Sequence, residues 1–290
     1  MFNSTTSLRF FRQLVFVSLV FTILLGGCAK VPYHYGGPEL ERNLPAWRDT
    51  PQVEVGRPNV FVDVLGNIFA LPSKLLLWNW HVGDRDVSDE TITALSTYLH
   101  ENDLQNVKIR INQYAPGGEW HRLFRNKSMN IFWRATFGVL STSLYTILPG
   151  RVFAGDNYNP YTNTISIYSD HKAIVVHEGA HAKDLYNRRL KGLYAALYAI
   201  PLVPLWHEAQ ATGDAVGYLR ERTLTEEEKA AYKILYPAYG TYVGGSFTQF
   251  LPVDWLTRYA IQVAVVVPGH IVGRIKAAAV DDNQVDPHPD

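Results

Sequence analysis

The chain has 290 residues, of which 47% are hydrophobic and 19% charged, and its 27 basic residues balance 27 acidic ones. A length of this order provides one large domain or two small ones, with enough chain to bury a core. Zero net charge argues against a nucleic-acid partner, since such proteins normally carry a basic surface that neutralises phosphates. The single cysteine excludes an intramolecular disulfide framework and a CxxC metal or redox site.

The first thirty residues have the layout of a secretory signal peptide. Arg9 and Arg12 precede an uncharged run that begins at Gln13, and no acidic residue accompanies them. Residues 25–28 read Leu-Gly-Gly-Cys, which resembles the lipobox of bacterial lipoproteins, where the cysteine is lipidated and becomes the new N-terminus. An uncleaved anchor helix is the alternative. We predict a signal peptide over residues 1–27 and lipidation of Cys28.

The chain after Cys28 divides into a tether, a domain and a tail. Residues 28–58 contain five prolines and little apolar periodicity, which predicts an extended tether. We expect the domain over residues 59–280 and a disordered tail over 281–290. The lipoprotein resemblance implies attachment to a membrane through the lipid on Cys28. Because no Asp follows the cysteine, the resemblance implies the outer membrane of a bacterial cell envelope, with the domain facing the periplasm.

Helices and strands are both predicted along the domain. Ser88 is a typical N-cap for a helix over residues 89–101. Residues 107–114 alternate between apolar and polar, which predicts a strand with one solvated face. The later predictions are, in chain order, a helix around 119–125, a strand over 164–168, and a helix that opens with a capping box at Thr225 and reaches about residue 235.

Three stretches contain no Asp, Glu, Lys or Arg: 135–150, 192–207 and 259–273. Each is shorter than the roughly 20 apolar residues that a membrane-spanning helix needs. We interpret them as buried helices. Surfaces that lie against a membrane are the alternative interpretation.

The motif that indicates chemistry is His-Glu-Gly-Ala-His at residues 177–181. On a helix, positions i and i+4 lie on one face, so the imidazoles of His177 and His181 can bind one metal ion. Glu178 projects roughly 100° round the helix, where it can take a proton from an attacking water. A catalytic zinc site has three protein ligands and one open position, so a third ligand is required.

The third ligand distinguishes the subclasses of HExxH sites. The metzincin pattern needs Gly and His where this chain has Asp184 and Asn187. A later segment, predicted as a helix over residues 205–219, supplies Glu208. Residues 163–214 therefore resemble the gluzincin metallopeptidases, the thermolysin-like group with HExxH and a downstream Glu. His207 is a rival third ligand.

This resemblance implies a role for each residue of the motif. His177, His181 and Glu208 would bind Zn²⁺, and Glu178 would be the general base. The family places Asp four residues after the ligand Glu, whereas this chain has Thr at that position. We therefore expect one of two other carboxylates to orient a ligand histidine, and the candidates are Asp184 and Asp214.

The resemblance also implies a fold and an activity. The fold would be α+β and mostly helical, with a small β-sheet next to the HExxH helix and the 164–168 strand at the sheet edge, where a peptide could pair. The function would be that of a lipid-anchored zinc metallopeptidase acting on a peptide or protein substrate. A non-catalytic lipoprotein that retains the metal site is one alternative. A membrane-apposed assembly factor, motivated by the uncharged stretches, is the other.

Two further features could place a donor near the oxyanion of a transition state. They are His270 and the glycine-containing run 239–245, which holds Tyr239 and Tyr242. We interpret both as packing features, because no spacing places them near the metal.

Overall fold

The structure is a computed structural model in which residues 47–280 are described. The predicted signal peptide, the predicted lipidation site Cys28 and the predicted tail over 281–290 lie outside these residues. Most of the predicted tether lies outside them as well.

The described chain is mostly helical and contains one small sheet, which confirms the predicted α+β class. The strands are β1 (Val53–Val55), β2 (Lys108–Ile111), β3 (Asn157–Asn159) and β4 (Thr164–Ile167). The first helices are α1 (Val60–Leu77), α2 (Asp89–Glu101), α3 (Pro116–Arg125), α4 (Ile131–Trp133), α5 (Val139–Ile147) and α6 (Gly150–Phe153), with a π-helical turn over Arg134–Gly138. The later helices are α7 (Lys172–Tyr186), α8 (Lys191–Leu197), α9 (Val203–Glu221), α10 (Thr225–Thr248) and α11 (Trp255–Ala278).

The sheet has the order β1-β2-β4-β3, with β3 antiparallel and the other pairs parallel. Ile109 lies opposite Ile165 and Ile111 opposite Ile167, so one face of the sheet is apolar and packs into the main core with residues of α2 and α7. The predicted strand over 164–168 is present as β4. Its expected edge position is wrong, because β3 pairs with the side of β4 that β2 leaves open.

The alternation in 107–114 predicts that the opposite face of the sheet is solvated. The structure shows that this face is buried. Arg110 on β2 is buried, and its Nε donates to a carboxylate oxygen of Glu119 on α3 at 2.8 Å. Its guanidinium also bonds to Glu54 on β1. The prediction fails because α3 covers this face and the two carboxylates neutralise the arginine, which makes burial of the charge tolerable.

Several element boundaries differ from the predictions. The helix over 89–101 is confirmed as α2, with the Thr91 N–H donating to Ser88 Oγ at 3.3 Å. β1 lies inside the segment that was predicted as tether, so the folded chain begins upstream of residue 59. The helix at Thr225 runs to Thr248, and the predicted capping box is absent because the N-cap is Leu224, whose side chain has no hydrogen-bonding group. Glu228 instead accepts a hydrogen bond from Arg220.

The three uncharged stretches are only partly buried, so their interpretation as buried helices is wrong. In 135–150 the side chains of Leu140, Leu144 and Ile147 are 51–72% exposed. Ile200 in 192–207 and Ile271 in 259–273 are about half exposed. In each stretch one face packs on the domain, and the other presents large apolar side chains outward.

Contacts near its beginning and near its end fix the helix that carries the HExxH motif. α7 follows β4 directly, and Asp170 in the connecting loop accepts hydrogen bonds from Ser88 and Thr91 at the start of α2. Farther along, the Lys183 ammonium donates to Asp214 on α9 at 2.7 Å, and both groups are buried. These contacts fix α7 against α2 and α9.

Gly179, inside the motif, allows α2 to approach α7 closely. A Cβ at Gly179 would lie 2.6 Å from Cδ1 of Tyr98. We expect Gly179→Ala to lower the free energy of unfolding by about 1–3 kcal/mol, because overpacking outweighs the better helix propensity of Ala. Urea unfolding measures this. Gly117→Ala is the control, since a Cβ at Gly117 meets nothing within 4 Å. An equal loss in both variants would contradict the packing argument.

Candidate metal centre

Three side chains that the sequence predicts as ligands converge in the structure. His177 and His181 lie one turn apart on α7, and Glu208 projects toward them from α9. The two imidazole Nε2 atoms are 3.1 Å apart. Oε2 of Glu208 lies 3.0 Å from Nε2 of His177 and 3.4 Å from Nε2 of His181. Within residues 47–280 this is the group of three or more His, Cys, Asp and Glu side chains that could hold a metal ion.

The spacing of these atoms fits a tetrahedral ion. Zinc binds imidazole nitrogen and carboxylate oxygen at about 2.0–2.2 Å, so adjacent tetrahedral ligands lie roughly 3.3–3.5 Å apart. The three observed separations of 3.0–3.4 Å are close to this value. Two imidazoles and one carboxylate also form the donor set of many hydrolytic zinc sites, and they leave a fourth position open. The residues present therefore fit zinc.

The carboxylate of Glu208 is oriented by a tyrosine. The hydroxyl of Tyr198, at the end of α8, donates to Oε1 of Glu208 at 2.6 Å. The other oxygen, Oε2, faces the two histidines. The hydrogen bond thus assigns one oxygen to the tyrosine and one to the ligand position, which favours ligation through a single oxygen.

Thr212 occupies the position where the resemblance would place Asp. It lies one turn after Glu208 on α9, and its Oγ1 is 3.5 Å from Nδ1 of His177. An Nδ1–H that points at this hydroxyl leaves Nε2 with its lone pair directed at the ligand position. A hydroxyl at this distance restrains the ring more weakly than a carboxylate would.

Burial and mutual charge shift the pKa values of the site. Burial raises the pKa of Glu178 to about 8, and the neighbouring Glu208 carboxylate contributes in the same direction. Burial opposes ionisation of Glu208 as well, but the charge of His181 and hydrogen bonds from both histidines hold the pKa of Glu208 well below its usual range. A divalent cation at the ligands would favour neutral imidazole and ionised carboxylate throughout the site.

A cavity of about 270 Å³ opens beside the ligands. Glu178 lines it together with His181 and Glu208, and Tyr158 on β3 lines it as well. The edge strand of the sheet therefore lies against the general-base candidate. The other tyrosines in the cavity wall are Tyr161, Tyr194, Tyr198 and Tyr242.

The chain was compared with family models, with curated proteins and with solved structures. No match was found in any of the three comparisons. The interpretation of this centre therefore depends on the residues and geometry of the chain itself.

The other site candidates from the sequence lie around the centre. Asp184 lines the cavity and accepts hydrogen bonds from Arg188 and Tyr194, so a role in orienting His181 stays a prediction. Asp214 bonds to Lys183 and Tyr98 and connects α9 to α7.

His207, the rival third ligand, does not join the ligand group within the described residues. Its ring packs against the ring of Tyr194, with centroids 4.4 Å apart, and against that of Tyr198 at 5.4 Å. Of the two candidates for the third ligand, the structure brings Glu208 to the histidines.

Sequence reasoning missed the tyrosines of the site. Tyr198 reaches Glu208 only because the chain reverses between α8 and α9, with Leu202 in the left-handed region at φ 72°. No periodicity in the sequence could indicate that reversal. Tyr242 comes from α10, within the run that we interpreted as packing, and it lines the cavity next to Tyr198. The glycines of that run were the available signal.

Removal of the Tyr198 hydroxyl tests its role in positioning Glu208. We expect Tyr198→Phe to weaken zinc binding by about 10–100-fold, as is typical when a partner of a metal ligand is lost. Competition with a chromogenic chelator measures the affinity. Tyr186→Phe is the control, because Tyr186 is an exposed tyrosine at the end of α7. Unchanged affinity in Tyr198→Phe would contradict the positioning role.

Proposed function

We propose that this protein is a zinc-dependent metallopeptidase, held in the bacterial cell envelope by a lipid on Cys28. The observation that carries the proposal is the convergence of His177, His181 and Glu208 beside a cavity that Glu178 also lines. The N-terminal residues support the location, since the lipobox resemblance implies the outer membrane with the domain facing the periplasm.

Zinc, when bound, supplies a Lewis acid that polarises a carbonyl and makes water a better nucleophile. Glu178, ionised beside the bound cation, would accept the proton of the attacking water and then pass it to the leaving amine. Tyr198 would keep Oε1 of Glu208 occupied, which holds Oε2 toward the histidines.

The surroundings of the centre favour a peptide substrate. β3 is an edge strand of the sheet, and Asn157 and Tyr158 from it line the cavity. An extended peptide can add to such an edge through backbone hydrogen bonds. A cavity of about 270 Å³ suits one side chain of such a peptide better than a whole drug-sized ligand.

Metal analysis of the full-length chain in detergent, paired with a proteolysis assay, tests the proposal. We expect one zinc per chain, cleavage of labelled casein, loss of cleavage with a chelator and recovery on addition of zinc. Glu208→Ala should lose zinc, whereas Glu90→Ala, at an exposed acid of α2, should retain it. A chain that holds zinc without cleaving any peptide would support the non-catalytic alternative. Zinc retained by Glu208→Ala would exclude Glu208 as the third ligand.

A further inference from the structure

Helix α1 carries its large apolar side chains on the outside. Gly66 and Lys74 are the residues of α1 that are fully buried. The large apolar side chains that face outward are 41–80% exposed, and from Phe61 onward they recur every three or four residues: Val60, Phe61, Val64, Ile68, Leu71, Leu75 and Trp78. An ordinary surface helix has the opposite arrangement, with its apolar stripe turned to the core.

The charged residues of α1 are satisfied on its inner side. The Lys74 ammonium donates to the carbonyl oxygen of Trp80 at 2.6 Å. Asp63 accepts a hydrogen bond from Nε of Arg151 at 2.8 Å. Because both charges are bonded to the protein, the outward stripe contains no charged side chain.

Helix α11 also turns large apolar side chains outward, among them Leu256, Val263, Val267, Ile271 and Ile275. Its exposed charged residues, Arg258 and Arg274, lie toward the two ends of the helix. Its inner side approaches α10 through Gly269 and Gly273, where a Cβ would lie 2.7 Å from the Tyr236 carbonyl oxygen and 2.3 Å from that of Tyr232. Contact through glycines four residues apart is typical of helix pairs in membranes.

The two helices contact each other at the end of α1. Trp78, at the end of α1, stacks on His270 of α11 with ring centroids 3.8 Å apart. A ring nitrogen of His270 donates to the Leu76 carbonyl oxygen at 2.8 Å, so the two helices are fixed to each other. We call the outward residues of α1 and α11 the apolar face.

The ends of the α1 segment show how such a face would meet a membrane. The Gly56 N–H donates to Ile111 and the Arg85 N–H donates to Tyr168, so the chain leaves the sheet and returns to it on the same side. By length and composition alone, α1 and α11 are long and apolar enough to cross a bilayer. Because the chain is bonded to the sheet both before and after α1, we expect α1 to lie along the membrane surface.

We propose that the apolar face inserts into a phospholipid bilayer as a monotopic surface. Monomeric soluble proteins rarely expose apolar patches of more than a few hundred Å². Helices of 18 and 24 residues are about 27 and 36 Å long, so the face is far larger than isolated exposed side chains. The occupant that we infer is lipid, and this inference rests on the proposed lipid anchor at Cys28. The tether between Cys28 and β1 is short enough to keep the domain at the membrane. This surface is independent of peptidase activity.

Fluorescence quenching in vesicles tests the insertion. Full-length Ile68→Cys and Ile271→Cys, each labelled with an environment-sensitive fluorophore, are reconstituted in vesicles of phosphatidylethanolamine and phosphatidylglycerol with and without brominated acyl chains. We expect a blue shift and quenching by the brominated lipids at both positions. Leu224→Cys is the control, because Leu224 is an exposed leucine in the turn between α9 and α10. The unsubstituted chain reports any labelling of Cys28.

Two outcomes would overturn the proposal. Labels at positions 68 and 271 that behave like the label at 224, with neither shift nor quenching, would mean that the apolar face stays in water. Labels that are shielded from water but not quenched, together with cysteine crosslinks between copies, would mean that a second copy of the chain covers the face.

Discussion

Glu178→Gln is expected to reduce peptide hydrolysis by about 10²–10⁴-fold, the usual contribution of a general base. Glutamine preserves the shape of the side chain. It cannot take a proton from water at neutral pH. Glu178 is not among the three ligands, so zinc content should remain that of the unsubstituted chain. Initial rates with labelled casein and metal analysis of the same samples measure the two effects.

Glu90→Gln is the matched control for this prediction, because it makes the same change at an exposed position of α2. It should retain full activity. If Glu178→Gln kept both zinc and full function in cells, the peptidase proposal would be wrong and a structural role of the metal site would be favoured. If Glu178→Gln lost zinc, the assignment of Glu178 as a general base that does not bind the metal would be wrong.

The second large effect concerns the ion pair that joins the two ligand-bearing helices. Asp214→Ala is expected to lower the free energy of unfolding by about 3–5 kcal/mol, because it removes the carboxylate that neutralises the buried Lys183 ammonium. The hydroxyl of Tyr98 also loses its hydrogen bond to Asp214 in this variant. Thermal or urea unfolding of the purified chain measures the loss.

Two further variants test whether charge burial causes the loss of unfolding free energy in Asp214→Ala. One changes a surface ion pair, and the other removes both buried charges. Glu226→Ala removes an exposed partner of Lys229 and should cost less than about 1 kcal/mol. Lys183→Met combined with Asp214→Leu should recover much of the loss, since it removes both buried charges. A double variant as unstable as Asp214→Ala would show that the charge of Lys183 is not the cause.

The metal ligands could be predicted from the sequence to the extent that their geometry is local. Two histidines four residues apart on a helix share a face whatever surrounds them, and the structure places their Nε2 atoms 3.1 Å apart. The choice of Glu208 came from a family resemblance rather than from geometry. Its convergence with the histidines depends on the packing of α9 against α7, which no spacing specifies.

The rest of the site could not be predicted because its contacts are non-local. Tyr198 and Tyr242 come from different helices and meet near Glu208 only in the folded chain. Arg110 illustrates the same limit in the sheet. Its place in an alternating pattern predicted a solvated side chain, but the carboxylates that neutralise it lie on β1 and α3. An alternating sequence pattern indicates the period of a strand, but it does not indicate which residues its side chains will contact.

The uncharged stretches show a different limit of prediction from sequence. Hydropathy indicates that a segment avoids water, but it does not say whether protein or lipid replaces the water. In α11, Gly269 and Gly273 mark the side that contacts α10, while larger apolar residues of the helix face outward. That orientation is a property of the packed structure.

The packing of α7 through α11 has a consequence for the order in which the molecule folds. These helices follow one another in the chain, and each of the pairs α7–α9, α9–α10 and α10–α11 is in contact. β1, by contrast, must find β2 across the whole of α1 and α2. Contacts between neighbours in sequence form faster than distant ones. The helical half that assembles the three ligands is therefore expected to form first, so that zinc in the folding compartment would meet a binding site before β1 has joined the sheet.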